Sequence, residues 1–312
     1  MERKHNYLLL VLRGCAMGAA DVVPGVSGGT IAFITGIYEE LIHSVKSINA
    51  EALKWLFTLK WKAFWKKING KFLLSVVTGI AISIFSLARL MTRLLEQHPI
   101  YIWSFFFGLI IASSLLVAKE IKQWSPVTVI ALLAGIGIAY AITVMTPAET
   151  PDTWWFILLS GAIAICAMIL PGISGAFILL LMGKYTYILG AVSRLDIGTL
   201  LLFATGAVIG IVSFSHLLSW LLKNHHAPTI SLLTGFMLGS LNKVWPWKET
   251  LQTYVNSHGV EKALVESNIS PCRFGELTQS DPLLWEAVLL CMAGFALIYG
   301  MELFARRRQK KS

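Results

Sequence analysis

Two short stretches of this 312-residue chain carry the residue types that could do chemistry, and they match one another. The first reads Pro24-Gly25-Val26-Ser27-Gly28-Gly29-Thr30 and the second Pro171-Gly172-Ile173-Ser174-Gly175-Ala176-Phe177. Both interrupt apolar sequence. Proline ends one half-helix or starts the next, glycine lets the backbone approach a ligand closely, and serine can cap the helix that follows. The chemistry this suggests is anion binding. Helices starting near Ser27 and Ser174 would aim N–H groups and partial positive charge at one place. The expected anion-binding positions are Gly25, Ser27, Gly28, Gly29 and Thr30 in one copy and Gly172, Ser174 and Gly175 in the other. A single Pro-Gly break is explained well enough as a kink that relieves packing strain. Two matched copies with serine and a further glycine are not.

Charged residues inside apolar sequence are the next candidates, because they are costly in a membrane. Asp21 stands three residues before Pro24 and aligns with the apolar Met168. It is expected to couple or gate, by carrying a proton or cation or by pairing with an arginine; capping the broken helix is its plainer role. Arg89 and Arg93 lie one turn apart on one helix face, a forked donor pair suited to phosphate, with snorkelling to headgroups as the alternative. Arg89 aligns with His216, which would put a titratable donor in the corresponding place of the other half. Lys184 and the pair Glu39-Glu40 read as interfacial or solvated groups, and His225-His226 as a surface turn. The four cysteines, Cys15, Cys166, Cys272 and Cys291, have no metal-like spacing.

The elements that must hold these residues are membrane helices. The chain is 56% hydrophobic and only 14% charged, with mean hydropathy +0.69, whereas soluble domains carry about 25% charged residues. The net charge of +9 does not indicate nucleic-acid binding, since the cations cluster in short segments beside apolar spans. Met1-Glu2-Arg3-Lys4 leads into an apolar run without a convincing cleavage site, so that segment is expected to be retained.

The repeat extends past the motifs. A shift of 147 gives nine identities in the 25 positions from Gly14 to Tyr38, and a shift of 127 aligns Leu73–Ser113 with Leu200–Ser240. The difference is an insertion rich in lysine and tryptophan, suited to an interfacial helix on anionic lipid. Residues 43–71 hold seven lysines against Glu51, and the chain ends Arg306-Arg307-Arg308-Gln309-Lys310-Lys311. Both regions and the N-terminus should therefore be cytoplasmic.

The expected fold is all-α and polytopic, built of two inverted-topology repeats, each with one re-entrant helical hairpin and three spanning helices. Repeat 1 (1–145) comprises a hairpin at 8–45, the basic interfacial segment 46–71, and spans at 72–95, 100–118 and 127–145. Repeat 2 (146–312) comprises a hairpin at 154–193, spans at 198–222, 229–243 and 283–304, an outer loop at 244–282 and a basic cytoplasmic tail. Paired broken helices in inverted halves are the sequence pointer to a transport site near the bilayer midplane.

At Asp21–Thr30, at Leu170–Phe177 and at Met182-Gly183-Lys184-Tyr185, the chain resembles the bacterial polyprenyl-phosphate transporters (PopT), formerly a family of unknown function. The similarity runs over about residues 8–305. It implies a flippase of the cytoplasmic membrane that returns undecaprenyl phosphate from the outer to the inner leaflet, for reuse in peptidoglycan and other envelope polymers. It implies roles for the two Pro-Gly-x-Ser-Gly tips and Asp21. No cofactor is expected beyond a coupling proton or sodium ion, and the expected partners are the polyprenyl phosphate and anionic lipid. Two rivals stand beside this reading. One is a small-anion transporter or channel. The other is an undecaprenyl pyrophosphate phosphatase, a family with a Pro-Gly-x-Ser-Arg-Ser motif; here Gly28 and Gly175 replace that arginine, and no Glu-x-x-x-Glu motif stands in the first hairpin. Serine would then lack activation for nucleophilic attack.

Overall fold

The structure, a computed structural model, describes residues 6–21, 27–148, 150–255 and 261–309. Its first half runs α1 (Tyr7–Asp21), α2 (Gly28–Ile34), α3 (Tyr38–Lys46), α4 (Ala50–Phe57), α5 (Trp61–Lys67), α6 (Gly70–Gln97), α7 (Pro99–Ala118) and α8 (Pro126–Val144). Its second half runs α9 (Trp154–Ile169), α10 (Gly175–Leu181), α11 (Tyr185–Arg194), α12 (Ile197–Asn224) and α13 (His226–Ser240). Strands β1 (Lys248–Val255) and β2 (Glu261–Asn268) follow, then α14 (Pro271–Thr278) and α15 (Leu284–Gln309).

Local sequence explains the boundaries. Ser125 and Thr128 form a capping box at the start of α8, with Pro126 in its first turn. Asp196 caps α12 by accepting from the Thr199 N–H at 3.2 Å. Helices α2 and α10 are each seven residues long. Each is followed by a glycine with positive φ, Gly36 at +69° and Gly183 at +62°, which turns the chain into α3 or α11.

Helices α7, α8 and α12 are long and apolar enough to cross a membrane, and up to five spans result if the bent pairs α5–α6 (71°) and α10–α11 (110°) each count as one. The surface agrees with a lipid solvent: Ile130 and Leu133 on α8, Leu201 and Val208 on α12, and Leu289 and Met292 on α15 are exposed. The protein is a multi-pass membrane protein.

Packing is reciprocal between the halves. Helix α1 lies on α6 as α9 lies on α12, whereas α7 packs on α15 and α8 on α13, so the remaining spans pair across the halves. Glycines make these crossings close. A Cβ on Gly79 would stand 2.1 Å from the Val11 carbonyl oxygen, and one on the repeat-equivalent Gly206 would stand 1.8 Å from that of Leu158. Likewise Gly108 abuts Cys291 on α15 and Gly235 abuts Leu132 on α8. Small residues that let backbones approach are the usual basis of helix association in lipid, where hydrophobic burial contributes little.

Contacts sort the residues to two ends of the bundle. At one end Lys46 Nζ donates to Ser219 Oγ (3.1 Å), His226 Nε2 lies 3.1 Å from Glu39 Oε1, and Lys71 lies over the Tyr7 ring. At the other end Asn242 Nδ2 donates to Thr143 Oγ1 (2.8 Å), and Lys184 reaches Thr150 and Asp152. The first is the basic end, since α4, α5 and the start of α6 bring their lysines there.

The all-α expectation needs correction in segment 244–282, which contains an antiparallel hairpin of β1 and β2 and the helix α14. Hydropathy and charge describe this segment as a polar loop. Its alternating Thr, Leu, Tyr and Val carry a strand signal that whole-chain hydropathy averages away. A lone two-stranded hairpin is marginal by itself. This one is tied down by buried Trp247, whose Nε1 donates to the Pro282 carbonyl (2.8 Å), and by Trp245, which donates to that of Ile269 (2.9 Å).

Candidate functional site: the crossed helix breaks

The two breaks meet and bond to one another. Ser27 Oγ donates to the Met168 carbonyl (2.9 Å), joining the start of α2 to the end of α9. The Gly172 N–H donates back to Thr30 Oγ1 at 2.9 Å. Between these bonds the backbones nearly touch: a Cβ on Gly29 would lie 2.3 Å from the Ile169 carbonyl oxygen. Gly172 adopts φ +84° and passes close to Phe236 on α13, where a Cβ would meet the carbonyl oxygen at 2.7 Å. Glycine is required there twice over, by conformation and by space. Ser27, Thr30 and Ser174 are all buried.

The helix start at the first tip is already satisfied internally. The Gly28 N–H donates to Asp21 Oδ1 (2.7 Å), the Gly29 N–H to Ser27 Oγ (3.0 Å) and the Thr30 N–H to the Ser27 carbonyl (2.9 Å). At the second tip Ser174 Oγ accepts from the Phe177 N–H, at a long 3.5 Å. The expectation of open N–H groups therefore needs correction at α2. Its first donors are taken by a serine and a carboxylate of the same hairpin, and that carboxylate opposes the positive end of the helix. Asp21 takes the capping role.

The other sequence-selected residues divide. Gly175 packs against α9, where a Cβ would lie 2.5 Å from the Ala164 carbonyl oxygen. Gly25 lies outside the described residues, as does the Arg89 side chain. Arg93 is exposed on α6, and His216 on α12 is half-buried with Nδ1 2.8 Å from the Val212 carbonyl of its own helix. Among the described contacts neither reaches the tips. Lys184, read above as an interfacial anchor, is buried: its Nζ donates to the Thr150 carbonyl (2.8 Å), pairs with Asp152 and lies over Phe156 and Tyr187. It fastens the 150–152 segment onto the turn at Gly183, where the chain leaves α10.

A cavity of about 1290 Å³ opens at the basic end, lined by Phe33, Gly36, Glu39, Glu40, His43, Lys66, Lys67 and Lys71 among others. Its roof is the turn at Gly36. That is one α2 length from the Ser27 tip, about 10 Å at 1.5 Å per residue.

Sequence reading missed two residues. Ser104 on α7 and Ser231 on α13 are buried, and their hydroxyls have no partner among the described residues. Each stands five residues in from the start of its helix, and α7 and α13 start at opposite ends of the bundle. The same 127-residue shift that aligns Gly108 with Gly235 also aligns these serines, so the signal was present in the repeat. Among the described residues no group of three or more His, Cys, Asp or Glu is arranged to hold a metal.

Comparison with known proteins bears on this site. Residues 17–262 match the model of the VCA0040-like family, described as undecaprenyl phosphate translocase-like. A polyprenyl-phosphate transporter of Vibrio cholerae is 52% identical over 308 residues, covering 97% of this chain and 98% of that protein. Another polyprenyl-phosphate transporter, from Staphylococcus aureus, is 34% identical over 254 residues, covering 76% and 85%. No solved structure is significantly similar.

Proposed function

The chain belongs to the undecaprenyl phosphate translocase-like family, and from that premise we propose that it returns undecaprenyl phosphate from the outer to the inner leaflet of the bacterial cytoplasmic membrane. The observation that carries this reading is the joining of two broken helices by Ser27–Met168 and Gly172–Thr30, in the interior of a lipid-facing bundle. Broken helices are tolerated in lipid only where protein or a polar path satisfies the backbone. Here each break satisfies the other, and separating the tips would release two hydroxyls, a carbonyl and an N–H together. A phosphate headgroup needs such groups, whereas its prenyl tail can stay in lipid.

The rest of the mechanism follows from geometry and charge. The two halves are read as inverted repeats and the two hairpins as re-entrant, with the basic end cytoplasmic. The hydroxyls of Ser104 and Ser231, without a partner among the described residues, then stand about 7.5 Å in from the starts of helices that begin at opposite ends of the bundle, one toward each leaflet. The cavity at the basic end opens on the side read as inner, and its Lys66, Lys67 and Lys71 are balanced by Glu39, Glu40 and Glu120, so it offers an aqueous exit rather than a second anion site. Rocking of the halves about the crossed tips would offer the polar path to each leaflet in turn. Coupling through Asp21 to a proton or sodium ion belongs to this reading.

A non-enzymatic role is part of the proposal. Ser27 Oγ is committed to the Met168 carbonyl and Asp21 accepts from the Gly28 N–H, and among the described residues no hydrogen bond joins Ser27 Oγ to a basic side chain. The test is leaflet accessibility of undecaprenyl phosphate in sealed proteoliposomes, wild type beside Ser27→Ala/Ser174→Ala. Protein-dependent crossing that falls in the double variant without release of inorganic phosphate is expected. Failure of folded wild type to move the lipid under an imposed potential or pH gradient would overturn the lipid reading in favour of a small anion.

A further inference from the structure

The end of the bundle opposite the basic segment is where cations are least expected, yet two lysines with largely covered side chains stand there. The side chains of Lys243 and Lys248 are 17% and 8% exposed. Each ammonium lies over an aromatic face, Lys243 4.7 Å from the Phe177 ring centre and Lys248 4.5 Å from that of Trp103. Both point at one oxygen, Glu266 Oε2, at 3.0 and 3.4 Å. Lys248 also donates to the Lys243 carbonyl at 2.7 Å.

Two cations on one carboxylate leave an excess positive charge. Buried charges are retained at low cost only when paired, and apolar side chains would fasten the β-hairpin more cheaply. Burial holds the Lys248 ammonium down to about 8 against the support of Glu266, with Lys243 adding to the depression. Among the described residues the cluster is thus short of negative charge, and the anion that contacts it, Glu266, is carried on β2 of a two-stranded hairpin, opposite Thr250 of β1. The site also touches the crossed breaks. Phe177, the ring beneath Lys243, is the residue whose N–H is capped by Ser174.

We propose that Lys243 and Lys248 form an outer docking site for a phosphate monoester, with Glu266 as a resident counter-ion that the arriving phosphate displaces. A phosphate offers several oxygens where Glu266 Oε2 serves both lysines alone, and it supplies the charge that the cluster lacks. Displacing Glu266 would loosen the β1–β2 cap at the same moment, so binding and opening of the outer side become one event. The proposal rests on the carrier reading for its direction, but its ligand chemistry stands on the cluster alone.

The test is equilibrium binding to the full-length protein in nanodiscs, with undecaprenyl phosphate and inorganic phosphate as separate probes. Glu266→Gln is expected to tighten binding and Lys243→Gln/Lys248→Gln to weaken it, each by about tenfold, the factor carried by one charge-assisted hydrogen bond. Lys243→Arg/Lys248→Arg should retain binding, and thermal unfolding of each variant checks that it is folded. A response with both probes supports a site that reads phosphate itself; a response with the lipid alone supports one that needs the tail as well. If folded Glu266→Gln binds no tighter than wild type, the proposal is overturned. If binding responds as expected but no lipid crosses in proteoliposomes, docking stands and the carrier reading falls. If crossing is intact in Lys243→Gln/Lys248→Gln and binding is unchanged, the reverse holds.

Discussion

The two helix breaks share a backbone device and differ in their side chains. Both follow Pro-Gly-x-Ser-Gly, both lead into a seven-residue helix, and both of those helices end at a glycine in the left-handed region. At the first break Asp21 and Thr30 are polar and engaged; their counterparts at the second are Met168 and Phe177. The first break therefore gives side chains to the contact, Ser27 Oγ and Thr30 Oγ1. The second gives backbone, the Met168 carbonyl and the Gly172 N–H. Repetition supplied a shape that can meet its own copy, and divergence decided which copy offers polar side chains. The charge also differs. Asp21 opposes the positive end of α2, whereas among the described residues no carboxylate caps the start of α10.

The comparison can be broken most sharply at the point of closest approach. Gly29→Ala drives a methyl group into the Ile169 carbonyl, whereas Ala176, its counterpart, is exposed and already carries one. Gly29→Ala should slow lipid crossing about a hundredfold, as about 3 kcal/mol of overpacking implies, and Ala176→Gly should stay within about twofold. Parallel proteoliposome assays of the two variants decide it.

Charge is the next lever. Asp21→Asn keeps an acceptor for the Gly28 N–H but removes the charge that opposes the positive end of α2, so stability should fall by about 1–2 kcal/mol. Crossing by protein that remains folded should fall about tenfold, the change in rate that about 1.4 kcal/mol makes. Met168→Leu at the matching position should change neither quantity. Equal effects at the two positions would show that the breaks are interchangeable.

The serines should differ by less. Ser27→Ala loses a cap and a bond to the other hairpin, for about 2 kcal/mol of stability; Ser174→Ala loses one long cap bond, for about 0.5 kcal/mol. Thermal or denaturant unfolding in detergent would rank them.

The smallest effect is a pH dependence at the cap above the second break. Burial raises the Glu266 pKa, but Lys248 and Lys243 outweigh it and hold the group below the usual 4.5. A depressed carboxylate contributes stability that is present above its unfolded value and lost as pH falls through the folded one. Amide exchange in β1 and β2 should accelerate as pH drops below about 4.5, by severalfold beyond its intrinsic dependence, and Glu266→Gln should remove that acceleration.

Much of the molecule was legible from residue types alone. Long apolar runs bounded by Ser125-Pro126, Asp196 and His98-Pro99 mark where α8, α12 and α7 begin, because caps and proline act locally. The two matched Pro-Gly-x-Ser-Gly breaks stand where the structure joins the two half-helices, and Gly36 and Gly183 occupy the turns beyond them. These features depend on a few neighbouring residues, so one sequence specifies them. The tertiary structure decided what local chemistry leaves open. Whether Ser27 caps its helix, reaches across to Met168 or does both depends on a carbonyl 141 positions away. Lys184 reads the same from sequence whether it snorkels or is buried on Thr150 and Asp152, because a lysine stem suits either environment. Lys243, Lys248 and Glu266 look like balanced loop charge until the β-hairpin lays them over Trp103 and Phe177. Burial is what turns these ordinary charges into specific ones, and burial is a property of the fold.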